Sequence, residues 1–131
     1  PSSAASDVYK RQTKNRANKI TELYSVSKKP GKYDAKKIGS INVQSIVTGA
    51  DYSEKHKILV LTSTKKFNNY YLITINDFSL KNLNDLKIET YEIPIGKTQV
   101  EAIKIIDNNN FWITSEDEKN SKSARLMKIK L

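Results

Sequence analysis

Residues 48–63 read TGADYSEKHKILVLTS, and residues 101–116 read EAIKIIDNNNFWITSE. The two stretches align at an offset of 53. In that frame the polar segment Ser53–Lys57 falls on Ile106–Asn110, and Ile58-Leu59-Val60 falls on Phe111-Trp112-Ile113. Each stretch is a β-prone run, a polar turn and a second β-prone run, which is the pattern of a hairpin. A further signature, Leu-x-x-Val/Ile, recurs at Leu23–Val26, Leu72–Ile75 and Leu126–Ile129, with spacings of 49 and 54. A four-strand unit repeating at about 50 residues has the period of a β-propeller blade.

Working outward, short runs rich in Ile, Val, Tyr, Leu and Thr predict strands near Ile20–Ser27, Ala35–Asn42, Ile46–Tyr52, Ile58–Ser63, Tyr70–Asn76, Ile88–Pro94, Val100–Ile106, Phe111–Ser115 and Arg125–Lys130. Lys29-Pro30-Gly31-Lys32 predicts a tight turn, because proline fixes φ and glycine accepts a positive one. Phe78–Lys87 reads as a longer loop with a helical turn near Leu80–Leu86, and Ser115–Ser123 as a solvated loop. The expected fold is all-β: a partial β-propeller of about two to three four-stranded antiparallel blades. Residues 13–44 would supply the outer strands of one blade, 45–98 a full blade, and 99–131 a last blade lacking its outermost strand. The strands should therefore group as two, four and three. The first strand of each blade should be buried on both sides, and Pro94 should fall in an outermost strand, where a missing N–H is tolerated. A β-sandwich or meander with a coincidental repeat is the competing arrangement.

Composition narrows the function. The 131 residues contain no cysteine, which excludes a disulfide scaffold, a thiolate zinc site and a cysteine nucleophile. One histidine excludes multi-histidine metal sites, and no Gly-rich phosphate loop or HExxH pattern occurs. The net charge is +9, but 20 of the 23 basic residues are lysines dispersed along the chain. Base readout and bidentate phosphate recognition favour arginine. With 12 asparagines and 15 isoleucines, the lysines fit an AT-rich coding bias. The charge is read as a solvated surface, not as a nucleic-acid footprint. No apolar run is long enough for membrane insertion or a signal-peptide core. Pro1–Gln12, PSSAASDVYKRQ, is small, polar and aperiodic, and resembles translated sequencing-adapter read-through. It is read as a disordered tail or artefact, with the natural protein, including further N-terminal blades, continuing upstream of Thr13.

Several stretches carry a family likeness: Tyr33-Asp34-Ala35, Ile38 through Tyr52, Ile58-Leu59-Val60-Leu61-Thr62, Gln99-Val100-Glu101-Ala102-Ile103, Thr114-Ser115-Glu116 and Ala124-Arg125-Leu126. Together they resemble the C-terminal part of a secreted or envelope β-propeller family of Bacteroidota-type bacteria. Ser45, Ser63 and Ala102 stand where that family commonly has glycine. The resemblance implies a propeller of about six blades, an extracellular or cell-envelope location, and a fold rather than a reaction.

The first strand of a propeller blade lines the central channel, where ligands and metals often sit. The candidate ligand-binding residues are therefore Thr48 and Asp51 on one such strand, Gln99 and Glu101 on the next, and Glu116 just past the strand that follows. Thr48 and Glu101 are equivalent in the repeat. Converging carboxylates suit calcium, which takes several oxygen ligands, and also general acid–base work. Carboxylates and amides at such strand ends equally serve to accept backbone N–H groups and fix the register between blades. The expected function is a non-catalytic binding or scaffolding module for a protein, small-molecule or glycan partner. The alternative is a calcium-dependent hydrolase of the lactonase or esterase-like kind using Glu101 and Asp51. Phe111 and Trp112 are expected in core packing, His56 in an exposed turn, and Tyr70-Tyr71 in blade packing or against a sugar.

Overall fold

The computed structural model describes residues 20–25, 31–32, 34, 36–65, 69–79, 81–95, 98–117 and 120–131. Pro1–Gln12 and half of the Lys29–Lys32 turn, Lys29 and Pro30, lie outside them. Nine strands are present among the described residues: β1 (Ile20–Ser25), β2 (Lys36–Asn42), β3 (Ile46–Ser53), β4 (Ile58–Thr64), β5 (Tyr70–Asn76), β6 (Lys87–Ile93), β7 (Gln99–Ile105), β8 (Asn110–Asp117) and β9 (Asn120–Lys130). They form three antiparallel sheets in chain order, a first sheet β1-β2, a middle sheet β3-β4-β5-β6 and a last sheet β7-β8-β9. The grouping is two, four and three, as the repeat requires. No described helix is long and apolar enough to cross a membrane.

Side-chain alternation explains how the sheets associate. Successive residues of a strand point to opposite faces. Leu59, Leu61, Ile73 and Ile75 of the middle sheet join Leu23 and Ile41 of the first sheet in one core, closed by Phe78. Ile58, Val60, Tyr70 and Leu72, from the other face, join Val100, Ile103, Phe111 and Ile113 of the last sheet in a second core. The middle sheet is thus apolar on both faces. Each fully buried aliphatic side chain there contributes about 2 kcal/mol.

Four expectations need correction. The most enclosed strand is β4, buried along its whole length. It has a strand on each edge and a core on each face, whereas β7, which opens the last sheet, exposes Glu101, Ala102 and Lys104. The run Ser115–Ser123 is not all loop, because β8 and β9 extend into it and meet at Asp117 and Asn120. The Phe78–Lys87 connection, expected to hold a helical turn near Leu80–Leu86, makes separate turns in its described residues, with Asn82 N–H donating to Ser79 O and Asp85 N–H to Asn82 O, while Leu80 lies outside them. Pro94 lies immediately beyond β6, which ends at Ile93.

The repeat itself also shifts. Tyr52 faces Leu59 across the first hairpin, and Ile105 faces Phe111 across the second. The offset is 53 on β3 and β7 but 52 on β4 and β8, so the second hairpin loop is one residue shorter. Phe111 therefore corresponds to Leu59, and Trp112 to Val60. One residue matters because it exchanges the faces of a strand. Phe111 is fully buried, while Trp112 is turned outward and 38% exposed.

Candidate ligand site at the seam between β3 and β7

β3 and β7 open their respective sheets, and β7 packs against β3 and β4. Each carries one register shift, between Val47 and Gly49 in β3 and between Val100 and Ala102 in β7. The extra residues are Thr48 and Glu101, the same pair that the repeat equates. A bulge bends its strand and re-aims the inserted side chain. The backbones come close at Gly49, where a Cβ would lie 3.3 Å from Ala102 Cα and 2.8 Å from Thr62 Oγ1. Only glycine leaves that approach open.

Asp51 spans this seam. Its Oδ2 accepts from the Ile105 N–H at 2.8 Å, its Oδ1 accepts from the Tyr52 N–H at 3.0 Å, and Lys104 Nζ stands 3.9 Å away. β7 is an edge strand, and the outward N–H of Ile105 finds its acceptor on the neighbouring sheet. The carboxylate thus fixes one sheet against the next. Thr48 is half-buried and shares a 3.0 Å hydrogen bond with the Thr62 hydroxyl.

The other three candidates gather at the opposite end of β7. Gln99 is the cross-strand partner of Glu116. Glu116 lies within β8, its side chain exposed and its carbonyl accepting from Thr98 Oγ1 at 2.9 Å. Glu101 is exposed. Gln99 and Ile105 are separated by about 20 Å of strand, so Asp51 does not meet Gln99 or Glu116. Among the described residues, no three His, Cys, Asp or Glu side chains come together to hold a metal ion. The five candidates thus divide into Asp51 and Thr48, whose side-chain hydrogen bonds are given above, and a second group of half-buried Gln99 with exposed Glu101 and Glu116.

Several flanking residues behave as packing groups. Tyr70 is buried in the second core, so it is closed to a sugar, and Tyr71 lies under the Lys65 ammonium, 5.1 Å from its ring centre. His56 is half-buried, its N–H donating to Ser53 Oγ. Burial pushes the Tyr52 phenol above its ordinary range, with Glu54 adding to the effect. In the second hairpin, Asp107 accepts from the Asn109 N–H at 2.8 Å and from Asn110 Nδ2 at 2.9 Å. These bonds hold its carboxyl below its ordinary value.

Sequence reading missed a second pair. Ser63 and Ser115 are fully buried, and neither hydroxyl has a hydrogen-bond partner among the described residues. Each faces the valine before a bulge, Val47 and Val100 respectively. The signal was present as the dipeptide Thr-Ser at 62–63 and 114–115, but it repeats at 52 and falls out of frame at 53. No family model, curated protein or solved structure matches the chain.

Proposed function

We propose that this chain is part of a β-propeller that acts as a binding or scaffolding module at the cell envelope, with further blades of the same protein beside it. The observation that carries the reading is the stacking order. Three antiparallel sheets follow one another in the chain, the middle one sharing a core with each neighbour, and the bulged strands β3 and β7 lie side by side. Opening strands of neighbouring propeller blades are related in this way. The envelope location rests on the family resemblance.

Binding is favoured over hydrolysis by the disposition of the polar groups. Asp51 is engaged by two backbone N–H groups, and the acidic end of the seam lies far along β7 from it. A calcium-dependent hydrolase needs carboxylates that converge. The end of β7 with exposed Glu101 and Glu116 beside half-buried Gln99 is the place for a protein, small-molecule or glycan ligand. An experimental structure of the gene's full product tests the reading. The expected result is a ring of sheets with β3 and β7 innermost; two sheets closed face to face as a sandwich would overturn it.

A further inference from the structure

Gly39 lies on β2 opposite Leu23 of β1, on the face that the first sheet turns toward the middle sheet. Its backbone does not require glycine, because Gly31 is the one described glycine with a positive φ. Glycine also weakens a strand. The reason for it is space: a Cβ at position 39 would overlap Leu83 Cδ1. Leu83 belongs to the connection between β5 and β6, in the middle sheet. Within that connection Phe78 is buried and Leu83 and Leu86 are half-buried, while Lys81, Asn82, Asn84 and Asp85 are exposed. All three apolar side chains pack in or against the core that the first and middle sheets share. Phe78 N–H donates to Lys57 O at 3.1 Å and Lys81 N–H to Ser79 Oγ at 3.2 Å. The connection is thus tied to the middle sheet at Phe78 and reaches the first sheet with Leu83.

We infer that the β5–β6 connection is a latch that holds the first sheet on the middle one through Leu83, and that displacing it releases β1 and β2 as a unit. Among the described residues the first sheet brings two buried apolar side chains to its core, Leu23 and Ile41, whereas the last sheet brings four to the other, Val100, Ile103, Phe111 and Ile113. The first sheet therefore depends more on what the connection adds. Segments with few buried apolar contacts open separately from the rest of a fold. The second core contains no residue of the connection, so the middle and last sheets stay joined when the latch opens. The inference rests on contacts between described residues and is independent of the proposed ring.

Amide hydrogen exchange of the full chain tests the latch. Leu83→Ala should speed exchange in β1 and β2 about tenfold and leave β8 unchanged. Gly39→Val alone should also speed it, because two side chains then contend for one space. In the Leu83→Ala chain the same valine fills the void and should slow exchange again. Leu86 packs against the same core, but none of its atoms lies within 4 Å of a Cβ at position 39. Leu86→Ala should therefore gain nothing from Gly39→Val. Unchanged exchange in Leu83→Ala, or exchange that rises alike in β1 and β8, overturns the proposal. So does a valine effect of the same sign whether residue 83 is leucine or alanine.

Discussion

Val60 and Trp112 hold the same position in two successive sheets, and so do Leu72 and Leu126. The first of each pair is buried beneath the next sheet, while Trp112 is 38% and Leu126 64% exposed. The backbone does not account for the difference, because strand order, register and bulge position recur. What differs is the cover. A sheet of this type presents an apolar face to the neighbour that precedes it and another to the neighbour that follows. The last sheet has its preceding neighbour, the middle sheet, and uses it to bury Phe111 and Ile113.

The largest expected effect contrasts those pairs directly. Leu72→Ala opens a cavity between the middle and last sheets and should cost about 2–5 kcal/mol. Leu126→Ala, at the corresponding exposed position, should change stability by less than about 0.5 kcal/mol. Urea unfolding followed by Trp112 fluorescence measures both. Equal costs would mean that the outer face of the last sheet is covered after all.

The second contrast is Gly49 against Ala102, its counterpart. A valine at 49 must displace β7 backbone and the Thr62 hydroxyl, and should cost about 1–3 kcal/mol. Ala102 is exposed, and Ala102→Val should stay within about 0.5 kcal/mol. A harmless Gly49→Val would separate β3 from β7 and remove the seam on which the proposed function stands.

Ser63 and Ser115 sharpen the comparison from the other side, since here the two sheets are alike. Both hydroxyls are buried without a partner among the described residues. Ser63→Ala and Ser115→Ala should each raise stability by about 1 kcal/mol. A loss at one position only would point to a hydrogen bond made there in solution.

Short runs of Ile, Val, Tyr, Leu and Thr between turn residues made the strands legible, and a repeat near 50 residues made their grouping legible. Tyr70–Asn76 is a run of tyrosine, leucine, isoleucine and threonine closed by asparagine, and it matches β5 at both ends. Sequence reading failed where a single residue decided the outcome. The bulges and the shortened second hairpin leave composition unchanged, yet they determine which of Phe111 and Trp112 is buried. The candidate site was legible only in part. Asp51 was singled out as a channel residue or a fixer of register, and its partner Ile105 lies 54 residues away and donates through its backbone, which no side-chain pattern records. Ser115–Ser123 read as loop because its residues are polar, but β8 and β9 each remain paired through part of that run.

The smallest effect concerns the two hairpin loops. The first is braced by Ser53 Oγ accepting from the His56 N–H and by Phe78 N–H donating to Lys57 O. The second, one residue shorter, depends on the Asp107 carboxylate, which accepts from the Asn109 N–H and the Asn110 side chain. Those bonds favour the ionised form and lower the Asp107 pKa from its ordinary value of 3.8. A carboxylate with a depressed folded-state pKa contributes its stability in full above the ordinary value and loses it as pH falls through the depressed one. Acidification below about pH 4 should therefore loosen the β7–β8 loop before the β3–β4 loop, seen as faster amide exchange at Asn109 than at His56. Asp107→Asn should remove that pH dependence while leaving the first loop unchanged. If both loops loosen together at low pH, Asp107 is not the group responsible, and the two hairpins are less different than their lengths imply.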